Sequence, residues 1–376
     1  MKNRLRIVNI GIIIFALIII VLYFFFFNSS LIRQPIKVTA TPEMETIVNN
    51  LDTPWAIDFL PSGEMLFTER GGKVSLFDLE TKELIKVGEI KVSEVSESGL
   101  LGIAVDPDFE SNSFIYIYYT YDKGNKVSRF TLEDNKLINE FILLDNIPNA
   151  QFHDGGRIKF GPDGKLYITT GDATVPSSAQ EYTTLAGKIL RINADGSIPK
   201  DNPFVHFASV VETSEIIRTE IWSYGHRNPQ GIAWNSNGEF FASEHGPTKN
   251  DELNKIEKGK NYGWPTKCEE QEGINDIKPI RCYTEFTLAP SGIAFYEGDL
   301  YVAGLRGNQL RRIEFDEGYT EVINEEVLFD NLGRIREVVE HDGWLYIATN
   351  NRDGRGVPRE GDDKILRIKI IRSKKL

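Results

Sequence analysis

One unit recurs six times along this chain: an apolar strand, a turn built on Gly or Asn, and a second apolar strand. The first strands are Trp55-Ala56-Ile57-Asp58-Phe59, Gly102-Ile103-Ala104-Val105, Arg157-Ile158-Lys159-Phe160, Gly231-Ile232-Ala233-Trp234, Gly292-Ile293-Ala294-Phe295 and Arg336-Glu337-Val338-Val339. Turns follow at Pro61-Ser62-Gly63, Pro107 to Asn112, Pro162-Asp163-Gly164, Ser236-Asn237-Gly238, Glu297-Gly298 and His341-Asp342-Gly343. Most units add a third strand of alternating type, clearest at Lys73 to Phe77, Lys188 to Ile192, Gln309 to Ile313 and Lys364 to Ile368. A lone hairpin cannot bury both of its faces, so such units must stack on one another. Radial repetition of small antiparallel sheets is the expected solution. No helical period interrupts the pattern after Leu51. The glycines of these turns carry fold rather than function.

The expected fold is therefore all-β, a six-bladed β-propeller over residues 48–370, preceded by an N-terminal transmembrane helix. Lys2, Arg4 and Arg6 lie in a short cytoplasmic stretch (1–6), and an apolar run fills 7–27 with Asn9 as its one polar break. That run is long enough to span a bilayer. It ends in Phe24-Phe25-Phe26-Phe27-Asn28, with no small-residue cleavage site, so an uncleaved anchor is expected. Early positive charge keeps the N-terminus inside and places the remainder outside the cell. Residues 28–47, with Pro35 and Pro42, read as a linker, and 371–376 as a basic tail.

The net charge of -12, with no basic stripe outside the termini, argues against a nucleic-acid partner. Cys268 and Cys282 are too few for a zinc site of their own. They close a short disulfide if the domain is exported, or stay as two free thiols.

Propellers concentrate chemistry on the loops at the channel mouth. The longest inter-turn stretches, Gly164 to Gly238 and Gly238 to Gly298, hold the richest clusters. His153, in Phe152-His153-Asp154-Gly155-Gly156-Arg157, stands at a loop-to-strand junction flanked by glycines and suits a general base. His226 is the rival, in Tyr224-Gly225-His226-Arg227-Asn228-Pro229-Gln230-Gly231, a cluster that also reads as a turn network. Glu244 to Glu252, followed by Asn261-Tyr262-Gly263-Trp264-Pro265, combines carboxylates with carbonyls freed by Gly and Pro, as an oxygen-ligand cation such as calcium requires. Arg227, Arg306, Arg334, Arg336, Arg352 and Arg355 form a cationic set suited to a polyanionic cofactor, with Arg352 and Arg355 also reading as solvated surface charge. No nucleophile elbow, HExxH, Walker loop or Rossmann fingerprint is present.

Taken in order, Trp55-Ala56-Ile57, Thr68-Glu69-Arg70, Gly99-Leu100-Leu101-Gly102, Asp106-Pro107-Asp108-Phe109, His153 to Arg157, Gly161-Pro162-Asp163-Gly164, Gly171-Asp172, Gly225 to Gly231, Glu244-His245-Gly246-Pro247, Asn261 to Pro265, Ala289-Pro290-Ser291-Gly292 and Gly333-Arg334-Ile335-Arg336 resemble the glucose/sorbosone dehydrogenase family. The resemblance runs from about Leu51 to Ile368. It implies pyrroloquinoline quinone and calcium (Ca2+) as cofactors, and oxidation of the anomeric hydroxyl of an aldose to a lactone. It assigns His153 as catalytic base. It places Glu97, Arg227, Asn228, Arg306, Arg334 and Arg336 on the cofactor, and Gly246, Pro247, Glu252 and the backbone of Tyr262 on calcium. Glu97 stands where some relatives carry Gln. Glu285-Phe286 replace a stretch that in some relatives is rich in Pro and Trp and lines the sugar site. The expected partners are an aldose substrate, the membrane and an external electron acceptor that the sequence does not name. Two other functions compete: a calcium-dependent lactonase, which would not need the arginines, and a non-catalytic surface binding module, which would tolerate loss of His153.

Overall fold

The structure is a computed structural model that describes residues 43–206, 216–270 and 277–370. The apolar run at 7–27 and the basic tail lie outside the described residues. Among the described residues no helix is long and apolar enough to cross a membrane.

The chain first lays down β1 (Glu43–Val48). It then builds β2–β5 (Pro54–Phe59, Met65–Glu69, Lys73–Phe77, Leu84–Glu89) and β6–β9 (Leu100–Val105, Phe114–Tyr121, Gly124–Glu133, Lys136–Ile147). Next come β10–β13 (Ile158–Phe160, Leu166–Thr170, Lys188–Ile192, Ile221–Tyr224) and β14–β17 (Pro229–Trp234, Phe240–Glu244, Asp251–Ile256, Arg281–Tyr283). The last are β18–β21 (Pro290–Tyr296, Asp299–Gly304, Gln309–Phe315, Val322–Phe329) and β22–β24 (Ile335–His341, Trp344–Thr349, Ile365–Lys369). Each group is one antiparallel meander, and β1 completes the sixth as its outermost strand, in the order β1-β24-β23-β22. The fold is thus an all-β six-bladed propeller. Its ring is closed by pairing the first strand with the last, from Glu43↔Lys369 to Val48↔Ile365. The expected linker 28–47 is corrected here. Residues from Glu43 onward are strand, because β24 would otherwise leave an unpaired edge.

The innermost strands β2, β6, β10, β14, β18 and β22 contact one another around the axis. Ile57, Ile103, Ile158, Ile232, Ile293 and Val338, one from each, line a single small axial cavity of about 30 Å³. All six are buried, and the charged Asp58, Arg157, Lys159 and Glu337 line the same cavity, with Arg157 paired to Glu337. Register shifts interrupt the first strand pair of five blades just before this level. Such bulges re-aim side chains.

A four-stranded meander brings its second-to-third connection to the same end as the link into the next blade. Glu97, His153, Arg227, Asn228 and Arg334 lie on or beside interblade links. Asp172, His245, Arg306 and Arg355 lie on second-to-third connections. Topology alone therefore delivers these residues to one face.

Candidate active site

His153 carries a positive φ of 66° in the link from β9 to β10. Two contacts hold this left-handed backbone. Its amide donates to Glu97 Oε2 at 3.0 Å. Its carbonyl is packed so tightly on Gly171 that a Cβ there would lie 1.8 Å from the oxygen. The imidazole Nδ1 lies 2.7 Å from Asp172 Oδ1. The second Asp172 oxygen accepts the Trp264 indole N–H at 2.8 Å. Asp172 is fully buried, so the pair fixes the ring and leaves Nε2 as its working nitrogen.

Asp154 turns away from this group. It accepts from Ser98 Oγ and Asn125 Nδ2 at 2.8 and 3.1 Å, and burial pushes its carboxyl up to about 6. His226 is also excluded as a working base by its contacts. It is fully buried, with Nδ1 on Glu244 Oε2 at 2.8 Å and Nε2 on Ser223 Oγ at 2.9 Å. Its ring stacks on Tyr262.

Glu97, on the link out of the first blade, and Arg355, in the sixth, lie 2.9 Å apart. Burial would raise the Glu97 carboxyl, but His245, the His153 amide and Arg355 outweigh it and hold the group at about 2. Arg355 also donates to Ser96 Oγ and lies over Phe152. It therefore binds a half-buried carboxylate rather than water alone.

Donors without partners gather nearby. Arg227 Nε, Asn228 Nδ2, Arg336 Nε and His245 Nε2 are all buried and make no hydrogen bond among the described residues. Arg336 is 4% exposed, and its Nη1 reaches only neutral groups, Gln230 Oε1 at 2.5 Å and Ser291 Oγ at 3.3 Å. Burial pushes its guanidinium down to about 9, and the His245 imidazole down to about 3. A buried cation left without an anion costs several kcal/mol, so this arrangement suits an anionic ligand. Arg334 differs: its Nε and Nη2 bind Asp353 at 3.0 and 2.8 Å. Asn228 Oδ1 accepts the Gly155 amide at 3.0 Å, tying the Arg227 turn to the His153 loop. Arg306 is exposed on the turn after β19 and is not joined to this group.

The expected calcium ligands separate into two places. Gly246 and Pro247 lie at the rim, where a Cβ on Gly246 would sit 2.1 Å from the Asn250 carbonyl oxygen. Glu252 is buried directly opposite Glu244 in the β15–β16 register. Burial, then the Glu244 charge, raises the Glu252 carboxyl well above its ordinary range. Asn254 donates to Glu252 and leaves its own Oδ1 unpartnered. Tyr262 packs on His226 and donates its hydroxyl to the Lys255 carbonyl at 2.8 Å. Two adjacent buried carboxylates and an unpartnered amide oxygen fit a hard cation. Among the described residues no group of three or more His, Cys, Asp or Glu side chains is arranged for a metal. Cys268 and Cys282 form a disulfide, which settles the choice the sequence left open.

Sequence reasoning gave no role to Asp172, Trp264 or His245, although all three lie within the ordered motifs. Their signal was position in those motifs, while their partners come from other blades.

The channel mouth thus sets a histidine–carboxylate pair among unpartnered polar atoms, an arrangement that suits an anionic ligand. The chain belongs to the glucose/sorbosone dehydrogenase family, whose model matches residues 51–367. It is 32% identical over 349 residues to aldose sugar dehydrogenase YliI of Escherichia coli, covering 84% of this chain and 92% of that one. It is 37% identical over 259 residues to quinoprotein glucose dehydrogenase B of Acinetobacter calcoaceticus, covering 59% and 52% of the two chains. The PQQ-bound aldose sugar dehydrogenase of Streptomyces coelicolor superposes with a TM-score of 0.78 at 34% identity, covering 88% of this chain and 98% of that one.

Proposed function

We propose that this chain oxidises the anomeric hydroxyl of an aldose to the lactone, using pyrroloquinoline quinone with calcium. The observation that carries the reading is the His153–Asp172 pair beside the unpartnered donors of Arg227, Asn228, Arg336 and His245. When bound, the quinone supplies a two-electron hydride acceptor and calcium a Lewis acid that polarises it. Arg227, Asn228, Arg334 and Arg336 would hold its carboxylates and ring oxygens, with Glu97 facing the same mouth. Gly246 and Pro247 would offer carbonyls to the cofactor-side calcium, and Glu252 with the Tyr262 backbone a further cation. His153 Nε2 takes the hydroxyl proton as the hydride leaves carbon. Asp172 fixes the imidazole tautomer and stabilises the imidazolium that forms. Trp264 holds the second oxygen of Asp172, so the carboxylate cannot rotate away.

The same reading sets the propeller outside the cell on an anchor at 7–27. The basic N-terminal flank and the Cys268–Cys282 disulfide support it, since such bonds persist in oxidising compartments. A lactonase would have no use for a buried guanidinium lacking an anion, and a binding module none for the oriented imidazole.

Cofactor binding by calorimetry tests the reading. Arg336→Ala should weaken quinone binding by about 2–5 kcal/mol, and Arg336→Lys should recover only part of it. Wild-type affinity in Arg336→Ala would place the cofactor carboxylates elsewhere.

A further inference from the structure

Lys188 opens β12 and is fully buried. Its ammonium is bound by main-chain oxygens, donating to the carbonyls of Ser178 at 2.8 Å, Ala179 at 3.1 Å and Ala186 at 2.5 Å. A buried charge held by neutral groups is costly, and a methionine would fill similar space without that cost. Burial pushes the amine down to about 7, offset in part by Glu181.

What the ammonium organises explains the residue. All three carbonyls belong to the connection from β11 to β12, which also presents Asp172. The Asp172 carbonyl accepts the Val175 amide at 2.9 Å and Ser178 Oγ at 3.3 Å, so Ser178 links the ammonium to Asp172. The Asp172 amide donates to the Arg227 carbonyl at 2.8 Å. The Ala179 carbonyl also accepts the Gly225 amide at 2.9 Å, and the His226 amide reaches the Gly187 carbonyl at 3.2 Å. The connection wrapped on Lys188 thus abuts the turn that delivers Arg227 and Asn228.

We propose that Lys188 is a positioning residue: its ammonium shapes the β11–β12 connection so that Asp172 holds His153 in register with the Arg227–Asn228 turn. The effect on turnover rests on the dehydrogenase reading, whereas the geometric claim does not.

The test uses Lys188→Met and Lys188→Gln in the full chain. In 15N-labelled protein without cofactor, the Trp264 indole proton reports directly on Asp172. Both variants should shift it and speed its exchange with solvent by roughly tenfold or more, while the Trp55 indole keeps its wild-type behaviour. In the loaded enzyme kcat should fall roughly tenfold to a hundredfold, with the aldose KM little changed. A lower melting temperature with wild-type Trp264 exchange and wild-type kcat would reduce Lys188 to a packing residue and overturn the proposal. Should neither variant fold, wild-type protein carrying 15N-lysine is read instead. Exchange of the Lys188 ammonium in step with the Trp264 indole, in guanidinium below the unfolding transition, supports the proposal; uncorrelated exchange overturns it. A wild-type enzyme that shows no quinone-dependent turnover removes the dehydrogenase reading and leaves the indole result standing.

Discussion

Glu97 shows how one side chain can serve both the fold and the site. One carboxylate oxygen holds the His153 amide and the other binds Arg355, 258 residues further along the chain. Its ordinary carboxylate value of 4.5 falls to about 2 in the folded protein. A depressed acid contributes stability that is complete above the unfolded value and is lost as pH falls through the folded one. Glu97→Gln should therefore cost about 1–3 kcal/mol near neutral pH, and the difference from wild type should shrink between about pH 4.5 and 2. Denaturant unfolding at several pH values reads this directly, and a difference constant with pH would mean that the Glu97 charge adds nothing. His153 was legible in the sequence because its glycine neighbours mark a backbone open to a ligand. Arg355 read equally well as surface charge, because its partner is fixed only when the ring closes. Asp172 and Trp264 were hidden for the same reason: the first contacts His153 from a neighbouring connection, and the second contacts Asp172 from the next blade.

At the scale of elements, the repeat made the inner strands legible. Each copy pairs an apolar strand with a tight turn, and the six matching Ile or Val positions meet on the axis. β1 was not legible. Glu43-Met44-Glu45-Thr46-Ile47-Val48 has little apolar alternation and reads as linker, since its outward face is solvated. What makes it a strand is the free edge of β24, together with the ion pair between Arg367 and Glu45 at 2.7 Å. A chain beginning at residue 43 should fold, whereas one beginning at residue 49 exposes the β24 edge. The shorter form should melt several degrees lower and aggregate at concentrations where the longer one stays in solution. Identical melting curves for the two would show that the seam contributes nothing to closure.

In the sequence the propeller is preceded by an apolar run at 7–27. Removing residues 1–30 should release the protein into the soluble fraction with the propeller intact. If that truncated form still sediments with membranes, or if the mature full-length chain is found cleaved near Asn28, the anchor reading fails. The channel mouth gathers the unpartnered polar atoms of Arg227, Asn228, Arg336 and His245, and the ligand proposed for it is a quinone held beside His153. The direct test is reconstitution of the purified protein with pyrroloquinoline quinone and calcium, followed by its absorbance as aldoses are added. The oxidised quinone band should be lost in the wild type, and about 100- to 10,000-fold more slowly in His153→Gln, which should bind the cofactor normally. A quinone-loaded protein whose spectrum no aldose changes, or a His153→Gln variant that turns over at the wild-type rate, would contradict it.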